Sequence, residues 1–133
     1  MRTIKFRAKR IDTGEWVYGD LIHRNDGDVA IYTNLDTWCE NPDDVDAYGD
    51  SFRVDNSTVG QFTGLHDKNG QEIYEGDILK GAWDTIFQVF YDDCYLGFRA
   101  KEKGGMENCI DYYGIERIEI IGNIHDNPEL LNR

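Results

Sequence analysis

Between Val59 and Lys80 the chain reads VGQFTGLHDKNGQEIYEGDILK, with turn signals set among short apolar runs. Reversals this dense leave room only for short strands, so this stretch limits the fold more than any other. Asp67-Lys68-Asn69-Gly70 is a tight-turn segment. Asn69-Gly70 suits the two central positions of a type I′ hairpin turn, because both residues tolerate positive φ. Glu75-Gly76-Asp77 is a second reversal: Gly76 supplies a backbone conformation closed to other residues, and Asp77 can accept bonds from nearby backbone N–H groups. Ile78-Leu79 opens the strand that follows. Gly60 and Gly64 bracket Gln61-Phe62-Thr63, which predicts that Phe62 fills a core from a loop. Turn chemistry explains each of these residue types, so the stretch predicts scaffold and no reactive centre.

The flanking sequence alternates with period two. Ile4, Phe6 and Ala8 face one way and Thr3, Lys5 and Arg7 the other, the pattern of a half-buried strand. A turn at Asp12–Glu15 leads into a return strand, Trp16–His23. A second turn, with Asp26-Gly27 as the hairpin dipeptide, leads to Val29–Thr33. Residues 34–50 carry Asn41, Pro42, Gly49 and many acids and predict a loop. Ser51–Asp55 reads as a short strand with Phe52 and Val54 on one side. Phe87–Tyr91 and Tyr95–Lys101 predict strands around Asp92-Asp93, Cys109–Tyr113 a further pairing segment, and Arg117–Ile124 a last strand with Ile118, Ile120 and Ile124 on one face. Asn127 as N-cap, Pro128 at the first position and Glu129 in the first turn predict a closing helical turn. Many short strands without a long amphipathic helix make the fold mainly β. Residues 1–58 form an N-terminal β-meander with an acidic loop. Residues 59–133 form a lobe whose strands close as a small SH3-like barrel, with one short C-terminal helical turn; the length fits one domain or two such lobes sharing a core. Phe6, Trp16, Phe52, Phe62, Tyr74, Phe87 and Phe98 fit inward positions.

The segments GQFTGLHDKNGQEIYEGDIL and IIGNIHDNPELL, with the opening TIKFRAKRIDTGEWVYGDLIH, resemble the YopX family of bacteriophage and prophage proteins. The resemblance covers both ends and the middle of the chain, in the right order, and leaves residues 34–58 and 101–114 unmatched. It implies a small, mainly β protein, phage-encoded and cytoplasmic, and it implies no activity.

Lys+Arg number 14 against Asp+Glu 26, a formal net charge of −12 over 133 residues. Such a field repels phosphate backbones and anionic membranes and attracts a basic protein partner. Cys39, Cys94 and Cys109 form no CxxC pair, which argues against a zinc knuckle or a thioredoxin-type site and for free thiols in a reducing cytoplasm. No apolar run is long enough to span a bilayer, and MRTIKFRAKR lacks the apolar core of a secretory signal.

Three constellations are candidates for function. The acidic loop places Trp38 and Tyr48 among Asp43, Asp44, Asp46 and Asp50, a contact surface of the kind that anchors a basic partner. Counted from Asp44, the same loop half-matches an EF-hand, with Gly49 in place. It fails at Tyr48 and at Asp55, where a ligating Asp or Asn and a bidentate Glu belong. The basic N-terminus sets Lys5, Arg7 and Lys9 on one strand face, a strip suited to self-association. Catalysis has the least support. His23, His66 and His125 are scattered, no nucleophile elbow, zinc helix or phosphate loop is present, and Glu72, Glu75 and Asp77 lack an apolar pocket that would raise a pKa. The chain therefore reads as a non-catalytic binding protein without a cofactor. The alternatives are a small metal-dependent module or enzyme using the acidic loop and a self-assembling structural component.

Overall fold

A computed structural model describes residues 2–25, 27–33 and 50–132. The chain divides into two compact units, Met1–Gln61 and Phe62–Arg133. Among the described residues every strand pairing is antiparallel.

The first unit holds β1 (Phe6–Lys9), β2 (Trp16–His23), β3 (Val29–Thr33), β4 (Asp50–Arg53) and the start of β5 (Gly60–His66). The hydrogen-bonded order is β4-β3-β2-β1-β5. Both early hairpins close as expected. Gly14 N–H donates to Arg10 O, Gly27 N–H donates to Arg24 O, and both glycines have positive φ, 74° and 89°. Ala8, Val29, Ile31 and Val54 form the core, with Phe6, Val17, Leu21 and Val59 packed on it. The expected alternation of β1 is only half realised: Ile4 is exposed, whereas Arg7, on the face read as polar, is buried.

The second unit continues β5 and pairs it with β6 (Glu72–Tyr74). Its main sheet runs β10-β9-β8-β7-β11, from β7 (Asp77–Lys80), β8 (Ile86–Asp92), β9 (Gly97–Glu102), β10 (Glu107–Asn108) and β11 (Glu119–Asn123). The five strands are compatible with an SH3-like barrel. Ile73, Leu79, Phe87, Val89, Ala100, Ile110, Tyr113 and Ile118 form the core. Burial of each large apolar member contributes about 1.5–3 kcal/mol.

Four local expectations need correction. Phe62 reaches the core from β5 and not from a loop; it is 5% exposed against Tyr74 and His66. The glycine after it, Gly64 (φ 90°), marks a bulge between Phe62 and His66, where Thr63 Oγ1 donates to Ile73 O. The Asn69-Gly70 turn is not type I′, because only Gly70 has positive φ (80°). Gly70 N–H donates to Asp67 O and Asp67 N–H to Gln71 O, the pattern of a three-residue loop with a left-handed glycine. Cys109–Tyr113 is no strand: β10 ends at Asn108 and Ile110–Tyr113 winds as a 3-10 turn. The closing turn, Pro128–Leu131, begins after Asn127, but the Asn127 side chain makes no cap bond to it. Its Oδ1 accepts instead from Asn123 N–H, over Gly122, where a Cβ would lie 2.6 Å from that oxygen.

Candidate functional site

The carboxylates of the central stretch serve the backbone. Asp67 is 6% exposed; its Oδ1 accepts from Asn69 and Gln71 N–H (2.9 Å each) and its Oδ2 from Ile120 N–H (3.1 Å). Lys68 N–H donates to Ile118 O, so the turn after β5 is hooked onto β11, 53 residues away. Burial opposes the Asp67 charge. The N–H groups of Gln71, Ile120 and Asn69, with the charge of Lys68, outweigh it and hold the carboxyl below its ordinary value. Asp77, 1% exposed, accepts from Tyr74 N–H at 2.7 Å. Gly76 (φ 94°) donates to Val89 O and accepts from Ile124 N–H, which seats the second reversal between β8 and β11. Glu72 accepts from Tyr74 Oη. His66 is exposed, its ring edge-on to Phe62. No group of three His, Cys, Asp or Glu able to hold a metal occurs among the described residues.

A different arrangement stands out at the link between β7 and β8. Gly81 N–H donates to Thr85 O and Thr85 N–H to Ala82 O, leaving Ala82-Trp83-Asp84 as a single 3-10 turn. Trp83 (φ 60°) and Asp84 (φ 56°) both sit in the left-handed region. An L residue without a locally bonding side chain is held there at a cost of about 1–2 kcal/mol. Trp83 is 77% exposed. Its ring lies 6.4 Å from that of Tyr112, also exposed. Tyr112 meets Tyr113 edge-on at 5.2 Å, and Tyr113 stacks on Phe87 at 4.3 Å in the core. A relay of four rings thus runs from the core to solvent. It depends on Gly81, where a Cβ would stand 2.7 Å from the Tyr113 Cβ. Tyr113 is fixed from its other end: its hydroxyl donates to Glu102 Oε2 (2.7 Å) and accepts from Asn108 Nδ2 (3.0 Å). Burial, reinforced by Glu102, pushes its pKa up to about 12. Acids border the exposed pair in sequence: Asp84 follows Trp83 and Asp111 precedes Tyr112.

A family model described as YopX protein matches residues 5–132. The chain belongs to the YopX family. A crystal structure of protein EF1440 from Enterococcus faecalis is similar to this YopX chain at 27% identity and a TM-score of 0.62, covering 98% of this chain and 99% of that one. No curated protein matches it.

The residues singled out from sequence fall in three places. Trp38, Asp43, Asp44, Asp46 and Tyr48 lie outside the described residues, as does Cys39. Asp50 begins β4, opposite Thr33. Asp55, the last position of the EF-hand count, accepts from Ser57 N–H and Oγ and starts the turn at Asn56–Thr58. In the basic strip, the Arg7 guanidinium lies 4.6 Å from the centre of the Trp16 ring and Lys9 Nζ 5.4 Å from it, while Lys5 is half-buried. A groove of about 600 Å³ in the first unit includes Ile4, Trp16, Tyr18 and Phe52, with Lys5 and Asp20 as its charged lining. Cys94 and Cys109 are exposed free thiols. The Trp83–Tyr112 pair escaped sequence reasoning. The available signal was a tryptophan in a five-residue link between strands, where a small or polar residue is the usual choice.

Proposed function

We propose that this YopX protein is a non-catalytic binding module that docks a protein partner through an acidic face. That is an accessory role suited to a phage- or prophage-borne protein in the host cytoplasm. The observation that carries the reading is Trp83, a large apolar side chain held in solvent on left-handed backbone beside Tyr112. Exposed aromatic anchors on rigid supports are the residues that dominate protein interfaces, and strain of this kind gathers where a side chain is being presented. The charge supports the same reading: residues 62–133 carry seven Lys and Arg against fourteen Asp and Glu. The buried carboxylates of the central stretch are committed to backbone N–H groups, which favours scaffold over catalysis there.

The test is capture from host lysate on immobilised wild type and on a Trp83→Ala/Tyr112→Ala variant. The expected result is a partner retained by the wild type at low salt, released at about 0.5 M salt where surface charges are screened, and absent from the variant. Identical proteins on both columns, or none on the wild type at low salt, would refute the reading.

A further inference from the structure

We infer that the Trp83–Tyr112 pair is a receptor for an arginine side chain on a basic protein segment. This deepens the binding reading above and rests on it. Three other aromatics of the fold carry an arginine on the ring face. Arg7 lies over Trp16 at 4.6 Å, Arg10 over Phe52 at 4.2 Å and Arg99 over Tyr95 at 4.0 Å. A planar guanidinium stacks on a ring face and keeps its N–H groups for water or carboxylates, which an ammonium does less well. The Arg99 stack shows the full arrangement: while covering Tyr95, the guanidinium reaches Asp92 Oδ2 at 3.1 Å and Glu107 Oε2 at 3.9 Å. Aromatic ring, arginine and flanking carboxylate form one unit.

Trp83 and Tyr112 are two exposed rings 6.4 Å apart that carry no arginine, with an acid next to each in sequence. Among the described residues no cation lies over either ring, although the rings are near Asp84 and Asp111 in sequence. Lys80 Nζ, the nearest cation in sequence to Trp83, reaches Asp84 Oδ1 at 3.4 Å and does not lie over the ring. The Asp84 side chain remains 87% exposed, open to a second donor. The Phe87–Tyr113–Tyr112 relay holds the shelf in place before a partner arrives, so little ordering cost falls on binding. A nucleobase would also stack on such a shelf, but its phosphates would meet the acidic surface of this unit; an arginine meets complementary charge.

The test uses the full chain with labelled indole nitrogens. Trp16, Trp38 and Trp83 should give three indole signals, and Trp83→Phe identifies the third. Nona-arginine, nona-lysine, nona-glutamate and a twelve-residue oligothymidylate are titrated in turn. The expected result is a shift of the Trp83 signal with nona-arginine, smaller with nona-lysine and absent with the two anions. Trp83→Ala should weaken nona-arginine binding by about 3- to 30-fold, the span of cation–π strengths from exposed to desolvated sites, with the Trp16 signal unmoved as the control for folding. Nona-arginine that binds wild type and Trp83→Ala equally, without moving the Trp83 signal, overturns the arginine receptor and leaves the acidic docking face standing elsewhere. Failure of both basic peptides to bind at low salt overturns that face too. A Trp83 shift with oligothymidylate overturns the partner class.

Discussion

Replacing Asp67 with asparagine keeps the size of the side chain and removes its charge, which makes it a sharp test of the hook between the β5–β6 turn and β11. In the wild type the carboxylate accepts three backbone N–H bonds, from Asn69, Gln71 and Ile120. In the variant the amide oxygen can keep the first two. The amide nitrogen then faces the Ile120 N–H, donor against donor. Asn69 and Gln71 are exposed, so water replaces much of what they lose, whereas Ile120 is half-buried in the sheet. Leaving such a donor unsatisfied costs about 1–3 kcal/mol, and losing the charge assistance on the other two adds a fraction of the about 1.5–3 kcal/mol such bonds are worth. A total of about 2–3 kcal/mol lowers Tm by about 7–12 °C for a chain of this length if it melts as one unit. Thermal and urea unfolding, followed by circular dichroism, measure it. The pH dependence provides a second check. The folded carboxyl lies below its ordinary value of 3.8, so its contribution is complete above that value and is lost as pH falls through the depressed one. The gap between wild type and Asp67→Asn should therefore close in acid. A variant that melts within 2 °C of wild type at pH 7, or a gap unchanged at pH 2, would refute the hook.

Two further outcomes follow from the ring relay. Tyr113→Phe should cost about 1–2 kcal/mol, because Glu102 and Asn108 each lose a bond and keep only the one between them. Because the Tyr113 hydroxyl is raised to about 12, its contribution is complete below the ordinary tyrosine range and lost as pH climbs toward that value. Spectrophotometric titration should show one tyrosine fewer in the latest phase of the variant. Trp83→Asn should leave Tm unchanged or slightly higher, since asparagine tolerates the left-handed backbone at lower cost and only a surface ring contact of about 0.5–1.5 kcal/mol is lost. A fall in Tm of more than about 5 °C would mean that Trp83 serves stability and not presentation.

Strand positions were legible because period two and turn residues are local signals. Trp16–His23 and Val29–Thr33 form the strands their alternation predicts. Gly76 and Asp77 perform the reversal their chemistry suits. The errors came where partners distant in sequence decide. Phe62 lies between two glycines that look like loop ends, yet pairing with β6 makes the segment a strand with one bulge at Gly64. Arg7 alternates like a solvated residue, yet it is buried and its guanidinium lies over the Trp16 ring.

The amino-acid order alone determined the mainly β class, the reversals, the family and the negative charge, because each depends on residue type and on spacing within a few positions. Only the tertiary structure decided that Asp67 ties two segments 53 residues apart and that Trp83 stands in solvent on a relay of rings. Those outcomes depend on which distant backbone groups and ring faces come within reach, and local sequence carries no record of that distance.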